Sequence, residues 1–596
     1  MLITNYQKRI NQILFQDLEK VLNVEKSQNY IPIYNKTFQL NNTNYNNVNL
    51  DNNNYIIKTF NLDDKIQATI NDQSGNEQTI DVFFKLSPLL DPVKYVIGKY
   101  DINDVNLLEL PSFMNKNSYA KSRDMNNSAY VDGFFSYLSS KLLHKYNFVH
   151  GLDFYGAFLG VKNDFLYNAT DEFDLMMDSR FFHEHKNKLF KIDEKYTEIN
   201  INNESRKYKC RLEISDNDVK TEISDFDMIE LNDLNVEDKQ TEQTKPDVEF
   251  EQNNEFDLLI LENINDINNS YSKKSPTTSN ISHKSCSDCS SRTSDTNTDD
   301  EMSCNVFSDD EDDGNENVSY ETIDDDASEL SDCDSILTTT TASCEEQINL
   351  TINKFPVSII CLEKCENTLD DYMIDEDISN DEWRSILMQV IMTLITYQKV
   401  FNFTHNDLHT NNIMYVSTNK KYLYYKYDNV IYKVPTYGKI YKIIDFGRAI
   451  YKFNDFLYCS DSFHKNGDAS TQYNFEPYMN NKKPRLEPNY SFDLCRLACS
   501  MYDIIISDSD DDDNQNAAIS DLIKEWCKDD KGRNVLYKTN GEERYPDFKL
   551  YKMIARTVHN HSPREQLKRN IFSQYLVSNN KLTKSNKQEL MDIDNM

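Results

Sequence analysis

Two short segments carry carboxyl and amide side chains at a spacing that suits phosphoryl transfer. In the first segment, Asp407 stands five residues before Asn412. In the second segment, an apolar run leads into Asp445. Transfer of a phosphoryl group from ATP needs a carboxylate that orients the attacking hydroxyl, oxygen ligands for Mg²⁺ and a cation on the phosphates. The sequence therefore predicts Asp407 as the catalytic base and Asn412 and Asp445 as metal ligands.

A long amphipathic helix is predicted to support the first of these segments. The helix runs from Asp381 to about Val400, and Ser379 and Glu382 form a capping-box pair at its start. The segment with Asp407 follows the helix directly, as a rigid support requires. The apolar stripe of this helix consists of Trp383, Ile386, Leu387, Val390, Ile391, Leu394 and Ile395.

Together the two segments resemble the catalytic loop and the metal-binding loop of the protein-kinase superfamily. His405, Asp407 and Asn412 match the His-Arg-Asp loop, and Asp445 with Gly447 matches the Asp-Phe-Gly motif. The resemblance implies an α+β, bilobal fold with a small antiparallel β lobe that carries one helix and a larger, mainly helical lobe. It also implies ATP and Mg²⁺ as cofactors and a serine or threonine hydroxyl of a protein as acceptor. The bias toward Asn, Tyr, Ile and Lys resembles proteins from AT-rich genomes, including those of mimivirus-like giant viruses. With the two motifs, the chain is similar to giant-virus serine/threonine-protein kinases.

The same resemblance implies a nucleotide site upstream of the catalytic loop. Lys85 lies in an apolar strand that is similar to the strand bearing the phosphate-contacting lysine. Its usual partner is a glutamate on the next helix, but here the nearest acid is Asp132, which is one methylene shorter and would demand a closer helix. Glu363 and Cys365 lie where the family has the hinge that holds adenine through backbone groups. Asp493 resembles the helix residue that braces the catalytic loop.

Several positions depart from the family pattern. Residues 40–70 contain no glycine, so the Gly-rich loop that covers the phosphates is missing. Asn406 replaces the arginine that often receives an activation-loop phosphate, which predicts that loop phosphorylation is not the switch. His409 stands where serine/threonine kinases commonly carry a lysine and could hydrogen-bond the γ-phosphate. Residues 421–442 are predicted to form an extra Tyr-rich hairpin.

Changes in pattern along the chain predict the domain organisation and the other elements. A helix is expected near Tyr6 to Val24, a hairpin over residues 66–86, a helix from Tyr130 to Leu143 and strands at 148–151 and 154–161. Helices are also expected at 491–505 and 517–527. The predicted regions are an Asn-rich extension (1–55), an N-lobe (56–213), a disordered acidic insertion (214–347), the last N-lobe strand and hinge (348–365), a C-lobe (366–580) and a tail (581–596).

The charge of the chain limits its partners. With 99 acidic and 64 basic residues, the formal net charge is -35. Tight sequence-independent binding to nucleic acid and docking on an anionic membrane both need a basic surface, so neither is expected. The acidic insertion is instead suited to basic partners. No signal pattern and no membrane-length apolar stretch is visible, which predicts a soluble intracellular protein, in the host cytoplasm or the virion if the chain is viral.

Three alternative functions are consistent with these residues. The first is an active protein kinase, and the second is a pseudokinase that acts as a scaffold, which the missing Gly-rich loop favours. The third is a small-molecule kinase of the choline or aminoglycoside type, which the pair Leu408 and His409 fits. A metal cluster of His283, Cys286, Cys289 and Cys304 is disfavoured because it falls in the acidic insertion.

Overall fold

The structure, a computed structural model, describes residues 4–9, 11–62, 65–114, 117–192, 348–507, 517–578 and 583–596. The predicted acidic insertion and the disfavoured Cys and His cluster lie outside the described residues. The boundaries proposed for the six regions remain predictions. In the part of the chain that is described, no helix is both long and apolar enough to cross a lipid bilayer.

Among the described residues, seven strands from the first part of the chain form one antiparallel sheet. Its order is β2-β7-β9-β6-β5-β4, with β8 paired to the outer end of β9. The predicted hairpin over residues 66–86 is confirmed as β5 and β6, joined by a turn at Gly75. The strands are β1 (Tyr6–Lys8), β2 (Val24–Gln28), β3 (Val48–Leu50), β4 (Asn54–Leu62), β5 (Lys65–Asp72), β6 (Glu77–Pro88), β7 (Phe154–Asn168), β8 (Phe190–Ile192) and β9 (Asn349–Glu363).

One long helix packs on this sheet. The predicted helix at 130–143 is confirmed and extends to Ser128–Tyr146, with Asn127 accepting a capping hydrogen bond from Ala129 N. The helix expected near Tyr6 to Val24 is shorter, because its flanks pair as strands β1 and β2. The helices of this part are α1 (Gln12–Val21), α2 (Tyr34–Thr37), α3 (Pro92–Val96), α4 (Ala120–Arg123), α5 (Ser128–Tyr146), α6 (Phe173–Met177) and α7 (Arg180–His185).

The prediction of a strand at residues 148–151 is wrong, because this segment forms a turn. Asn147 ends helix α5 in the left-handed conformation, with φ 54°, and so reverses the chain. Gly151 N then donates to Phe148 O over 2.9 Å, which closes the turn. The strand predicted at 154–161 is confirmed as part of β7.

The second part of the chain combines helices with smaller sheets. The predicted helices at 381–400, 491–505 and 517–527 are confirmed, and the hairpin expected at 421–442 is formed by β12 and β13. The helices are α8 (Leu369–Asp375), α9 (Asn380–Phe401), α10 (Phe492–Ser507), α11 (Ala517–Trp526), α12 (Lys549–Thr557), α13 (Pro563–Gln566), α14 (Asn570–Ser573) and α15 (Lys584–Gln588). The strands are β10 (Asn367–Thr368), β11 (Ile413–Ser417), β12 (Tyr422–Tyr427), β13 (Val430–Pro435), β14 (Lys439–Ile443), β15 (Ile450–Phe453), β16 (Phe456–Cys459), β17 (Leu576–Val577) and β18 (Leu590–Asp592).

Strand β9 separates two hydrophobic clusters. Ile360 and Leu362 belong to a cluster that continues through helices α5 and α9 into the second part of the chain. Ile359 and Cys361 belong to a cluster on the other face of the large sheet. Alternate residues of a strand point to opposite faces, so one strand can contribute to both clusters. The first cluster therefore joins the sheet to the helices that carry the predicted catalytic loop.

Candidate functional site

Lys85 connects three distant segments of the chain. Its strand, β6, is central in the large sheet, and its Nζ lies 2.7 Å from Asp132 Oδ2 and 3.0 Å from Asp445 Oδ1. Burial alone would lower the pKa of Lys85, but the two carboxylates outweigh it and raise that pKa above its usual range. Lys85 is therefore a cation at the point where the sheet, helix α5 and the second predicted segment meet.

Helix α5 comes close enough for the short side chain of Asp132 to reach Lys85. Gly133 faces strand β9, and a Cβ at this position would lie 3.3 Å from Ile360 Cδ1. Helix α5 therefore packs tightly on strand β9 at this point. Asp132 Oδ1 also accepts a hydrogen bond of 2.9 Å from Phe446 N, which ties the helix to the predicted metal-binding loop. The closer helix that an aspartate requires is thus present.

Asp493, at the start of helix α10, supports the backbone of the predicted catalytic loop. The two carboxylate oxygens of Asp493 accept from His405 N over 2.9 Å and from Asn406 N over 2.8 Å. His405 Nε2 donates to Ile444 O over 2.9 Å, and its Nδ1 accepts from Asp407 N over 3.3 Å. Burial lowers the pKa of His405, so the neutral ring can make both contacts. Asp493 and His405 are thus supports that fix the backbone at Asp407.

Asp407 receives two side-chain contacts that the sequence did not predict. Its Oδ1 lies 3.3 Å from Arg448 Nη1 and accepts a hydrogen bond of 3.0 Å from Tyr551 Oη. Arg448 directly follows Gly447, so its position could have suggested a role near the loop. Tyr551 lies on helix α12, 144 residues after Asp407, and no local pattern marks it.

Two hydrogen bonds donated by the amide nitrogen of Asn412 orient its side chain. Nδ2 donates to Asp407 O over 2.9 Å and to His409 Nε2 over 3.0 Å. The amide oxygen of Asn412 is consequently the group that can act as a metal ligand. Burial lowers the pKa of His409 to about 4, so its ring is neutral at pH 7. The structure therefore gives His409 the position of a support for Asn412 and not that of a cation in the place of a lysine.

Asp445 lies beside Asn412 through a direct backbone link. Ile444 N donates to Asn412 O over 3.0 Å, and Asp445 adopts a left-handed conformation with φ 61°. Gly447 N donates to Asp445 Oδ1 over 3.3 Å, which fixes the carboxylate. Mg²⁺ is usually held by one or two protein oxygens together with substrate phosphates. A carboxylate, an adjacent amide oxygen and a nearby lysine are a donor set that fits Mg²⁺ and a nucleotide phosphate.

The expected hinge residues use their side chains elsewhere. Glu363 ends strand β9, and its Oε1 accepts from Asp153 N over 2.9 Å and pairs with the buried Lys442. Lys442 Nζ also donates to Gly151 O over 2.8 Å. Cys365 is buried, which raises the pKa of its thiol to about 12. If adenine binds beside Glu363 and Cys365, the backbone groups of these residues would contact it, as the family resemblance implies.

Asn406 connects the catalytic loop directly to the segment that follows Gly447. Its backbone is left-handed, with φ 64°, a conformation that asparagine tolerates better than arginine. Asn406 Nδ2 donates to Arg448 O over 3.0 Å, and Tyr473 Oη donates to Asn406 Oδ1 over 2.8 Å. Arg448 Nη2 pairs with the buried carboxylate of Asp468 at 2.5 Å. This segment is thus anchored by uncharged contacts and by an ion pair with an aspartate.

Comparisons with known proteins agree with part of this picture. No family model matches the chain. A stretch of the chain is 35% identical over 118 residues to a probable serine/threonine-protein kinase of Dictyostelium discoideum. The match covers 18% of this chain and only 9% of the length of that protein. The matched stretch is kinase-like in sequence, whereas the resemblance to giant-virus kinases remains a prediction.

Proposed function

We propose that the chain is an ATP- and Mg²⁺-dependent phosphotransferase that acts on serine or threonine hydroxyls of a protein. The observation that carries the proposal is the contact of one buried cation, Lys85, with both Asp132 and Asp445. These three residues come from a strand, a helix and a loop that are far apart in sequence. Such a convergence is typical of a site that binds phosphates and a metal ion together.

Each residue has a distinct task in the proposed reaction. Lys85 would bind the phosphates, while Asp445 and the amide oxygen of Asn412 would hold Mg²⁺. Asp407 would orient the acceptor hydroxyl and take up its proton. Bound Mg·ATP supplies the phosphoryl group and neutralises charge on it. The supports from Asp493 keep the catalytic loop in one conformation, so little reorganisation accompanies transfer.

A bilobal kinase-like fold is part of the same proposal. The large antiparallel sheet with helix α5 would form the smaller lobe, and the helices from α8 onward would form the larger one. The chain passes from one to the other at residues 364–366, directly after β9. A nucleotide bound at this crossing would place its phosphates beside the Lys85–Asp445 pair. Strand β2, from the residues before 56, would add an edge strand to the smaller lobe, and β18, from the residues after 580, pairs with β12 in the larger one.

A transfer assay with matched variants tests the proposal. Purified protein is incubated with Mg²⁺ and γ-labelled ATP, alone, with a basic protein and with a set of small alcohols. Asp407→Asn and Asp445→Asn are expected to lower transfer by about 100-fold or more. Asp455→Asn is the control, because Asp455 is an exposed turn residue with φ 65°, which asparagine accepts.

The other outcomes separate the competing functions. Transfer that survives both Asp407→Asn and Asp445→Asn would contradict the assignment of the site. Transfer to small alcohols but not to protein would favour the small-molecule kinase. If wild-type protein shows neither transfer nor a thermal shift with ATP and Mg²⁺, the scaffold function is favoured.

A further inference from the structure

We infer that Tyr551 and Arg448 are positioning residues that hold the carboxylate of Asp407 for catalysis. The inference deepens the proposed function and rests on it. Tyr551 Oη and Arg448 Nη1 both contact the same oxygen, Oδ1 of Asp407, at 3.0 Å and 3.3 Å. Two donors on one carboxylate oxygen fix the rotation of the carboxyl group about its last bond. A defined orientation of the base is what hydroxyl activation requires.

Tyr551 is built to donate its proton to Asp407. The residue is 3% exposed, and burial raises the pKa of its hydroxyl to about 12, so the hydroxyl stays protonated. Arg496 Nε donates to Tyr551 Oη over 2.9 Å. With Arg496 as its donor, the hydroxyl has its own proton available for Asp407. Arg496 lies one turn after Asp493 on helix α10, so the same helix supports the loop backbone and, through Tyr551, the carboxylate.

Arg448 is the cation that faces Asp407. It is 1% exposed, and it bridges Asp407 to Asp468, with Nη2 at 2.5 Å from Asp468 Oδ2. Its guanidinium also lies 5.5 Å from the centre of the Tyr551 ring. His409, in the position where a loop lysine is expected, has its Nε2 occupied by the amide of Asn412. Arg448 thus brings a positive charge to the catalytic carboxylate from outside the loop.

Both contacts come from outside the catalytic loop. Tyr551 reaches the loop from helix α12, and Arg448 from the segment after the metal-binding loop. The geometry of Asp407 therefore depends on how those two segments pack against helix α10. A displacement of helix α12 would release the hydroxyl from Asp407 without disturbing Lys85, Asn412 or Asp445.

Tyr551→Phe tests the inference with the smallest change. The variant removes one hydroxyl and keeps the ring, which packs on Phe492 and Phe548. We expect kcat for transfer to the basic protein to fall about 10-fold, because the carboxylate loses the hydroxyl of Tyr551 as a donor. KM for ATP should stay within about twofold of wild type, since Tyr551 contacts none of the nucleotide-binding groups. Tyr575→Phe, another buried tyrosine remote from the site, is the control.

A double variant shows whether Tyr551 acts through Asp407. If it does, Tyr551→Phe should leave the residual transfer of Asp407→Asn unchanged, because residues that act as a unit are not additive. An equal loss in both backgrounds would show a general structural effect and overturn the inference. Arg448→Lys, which keeps the charge, should retain more activity than Arg448→Gln, and both are compared by melting temperature to identify misfolding.

The outcomes separate this inference from the proposed function. If wild type transfers phosphate and Tyr551→Phe matches it in kcat, the positioning role is wrong and the phosphotransferase assignment stands. If wild type transfers nothing while the basic protein and the alcohols are labelled by an active control kinase, the assignment fails and the positioning role fails with it.

Discussion

In the proposed kinase-like fold, the β4–β5 hairpin would take the place of the Gly-rich loop near the catalytic-loop region, but the two regions have very different degrees of support. In the catalytic-loop region, which comprises residues 404–412 and 443–448, the loop backbone is fixed by Asp493 and the key side chains have partners from other segments. The β4–β5 hairpin, described at residues 54–62 and 65–72, is mostly exposed or half-buried, and Leu62 is 49% exposed. One region is fixed by buried side-chain contacts, whereas the hairpin is held mainly by the pairing of β4 with β5 and of β5 with β6.

For the proposed phosphotransferase, this difference separates groups that are held in one orientation from groups that can adapt. Buried, hydrogen-bonded groups cannot reorient without losing several contacts at once, so the groups that do chemistry are preorganised. A hairpin without glycine cannot bring its backbone as close to phosphates as a Gly-rich loop can. We therefore expect substitutions on the catalytic side to have large effects and substitutions in the hairpin to have small ones.

The largest effect is expected for Lys85→Met. The variant leaves Asp132 and Asp445 without their shared cation, and removal of one partner of a buried ion pair destabilises a protein by about 3 kcal/mol or more. Transfer should fall about 100-fold or more, because the phosphates lose their cation as well. Activity and unfolding free energy are measured beside Lys58→Met, an exposed lysine of strand β4. Equal effects of the two variants would remove the distinction between the regions.

A pH dependence is expected from the buried support of the catalytic side. His150 Nδ1 donates to Tyr441 O, and its Nε2 accepts from Tyr425 Oη, each over 2.7 Å. Burial lowers the pKa of His150 to about 4, so the folded protein resists protonation that the unfolded chain accepts near pH 6.5. Stability is therefore present above pH 6.5 and is lost as the pH falls toward 4. The loss between pH 7 and pH 5 should be about 2 kcal/mol.

Denaturant unfolding at several pH values checks this dependence. His150→Gln keeps a donor and an acceptor but does not titrate, so its unfolding free energy should vary less steeply between pH 7 and pH 5. If the unfolding free energy changes equally steeply with pH in the variant and in the wild type, other titrating groups cause the pH dependence.

A smaller effect is expected for Asp493→Asn. The substituted amide keeps one acceptor for the loop backbone and turns an N–H donor toward the other, so one of the two bonds to His405 and Asn406 is lost. The cost should be about 1–3 kcal/mol of stability, and kcat should fall about 10-fold. Asp503→Asn, an exposed aspartate on the same helix, is the control for both measurements. An unchanged kcat in Asp493→Asn would show that catalysis does not depend on the hydrogen bonds between the loop backbone and the Asp493 carboxylate.

The same contrast explains what the sequence could predict. Asp407 and Asn412 lie within one short loop behind one amphipathic helix, so local spacing was enough to identify them. Lys85 and Asp132 could be paired from the order of strand and helix, and the structure brings them together. Tyr551 could not be identified, because its contact depends on how a distant helix packs on the loop.

The turn at residues 148–151 was missed for a related reason. Its apolar and β-branched residues favour a strand locally, but tertiary contacts decide otherwise. Asn147 takes the left-handed conformation at the end of helix α5, and His150 is buried against strands β12 and β14. Partners supplied by distant strands outweighed the local propensity.

The smallest effect is expected at the end of the β4–β5 hairpin, with Leu62→Gly. Leu62 pairs with Lys65 as the last described pair of the hairpin, and its side chain is largely exposed. Glycine would free the backbone to approach a phosphate, so KM for ATP should fall by about two- to threefold, while stability should drop by about 0.5–1 kcal/mol. Leu62→Ala removes the same side chain without freeing the backbone, so the difference between the two variants isolates the contribution of the glycine. A freed backbone lowers activity only where the site already depends on one conformation. If Leu62→Gly instead lowers kcat/KM by about 10-fold or more, the hairpin is therefore as tightly organised as the catalytic-loop region.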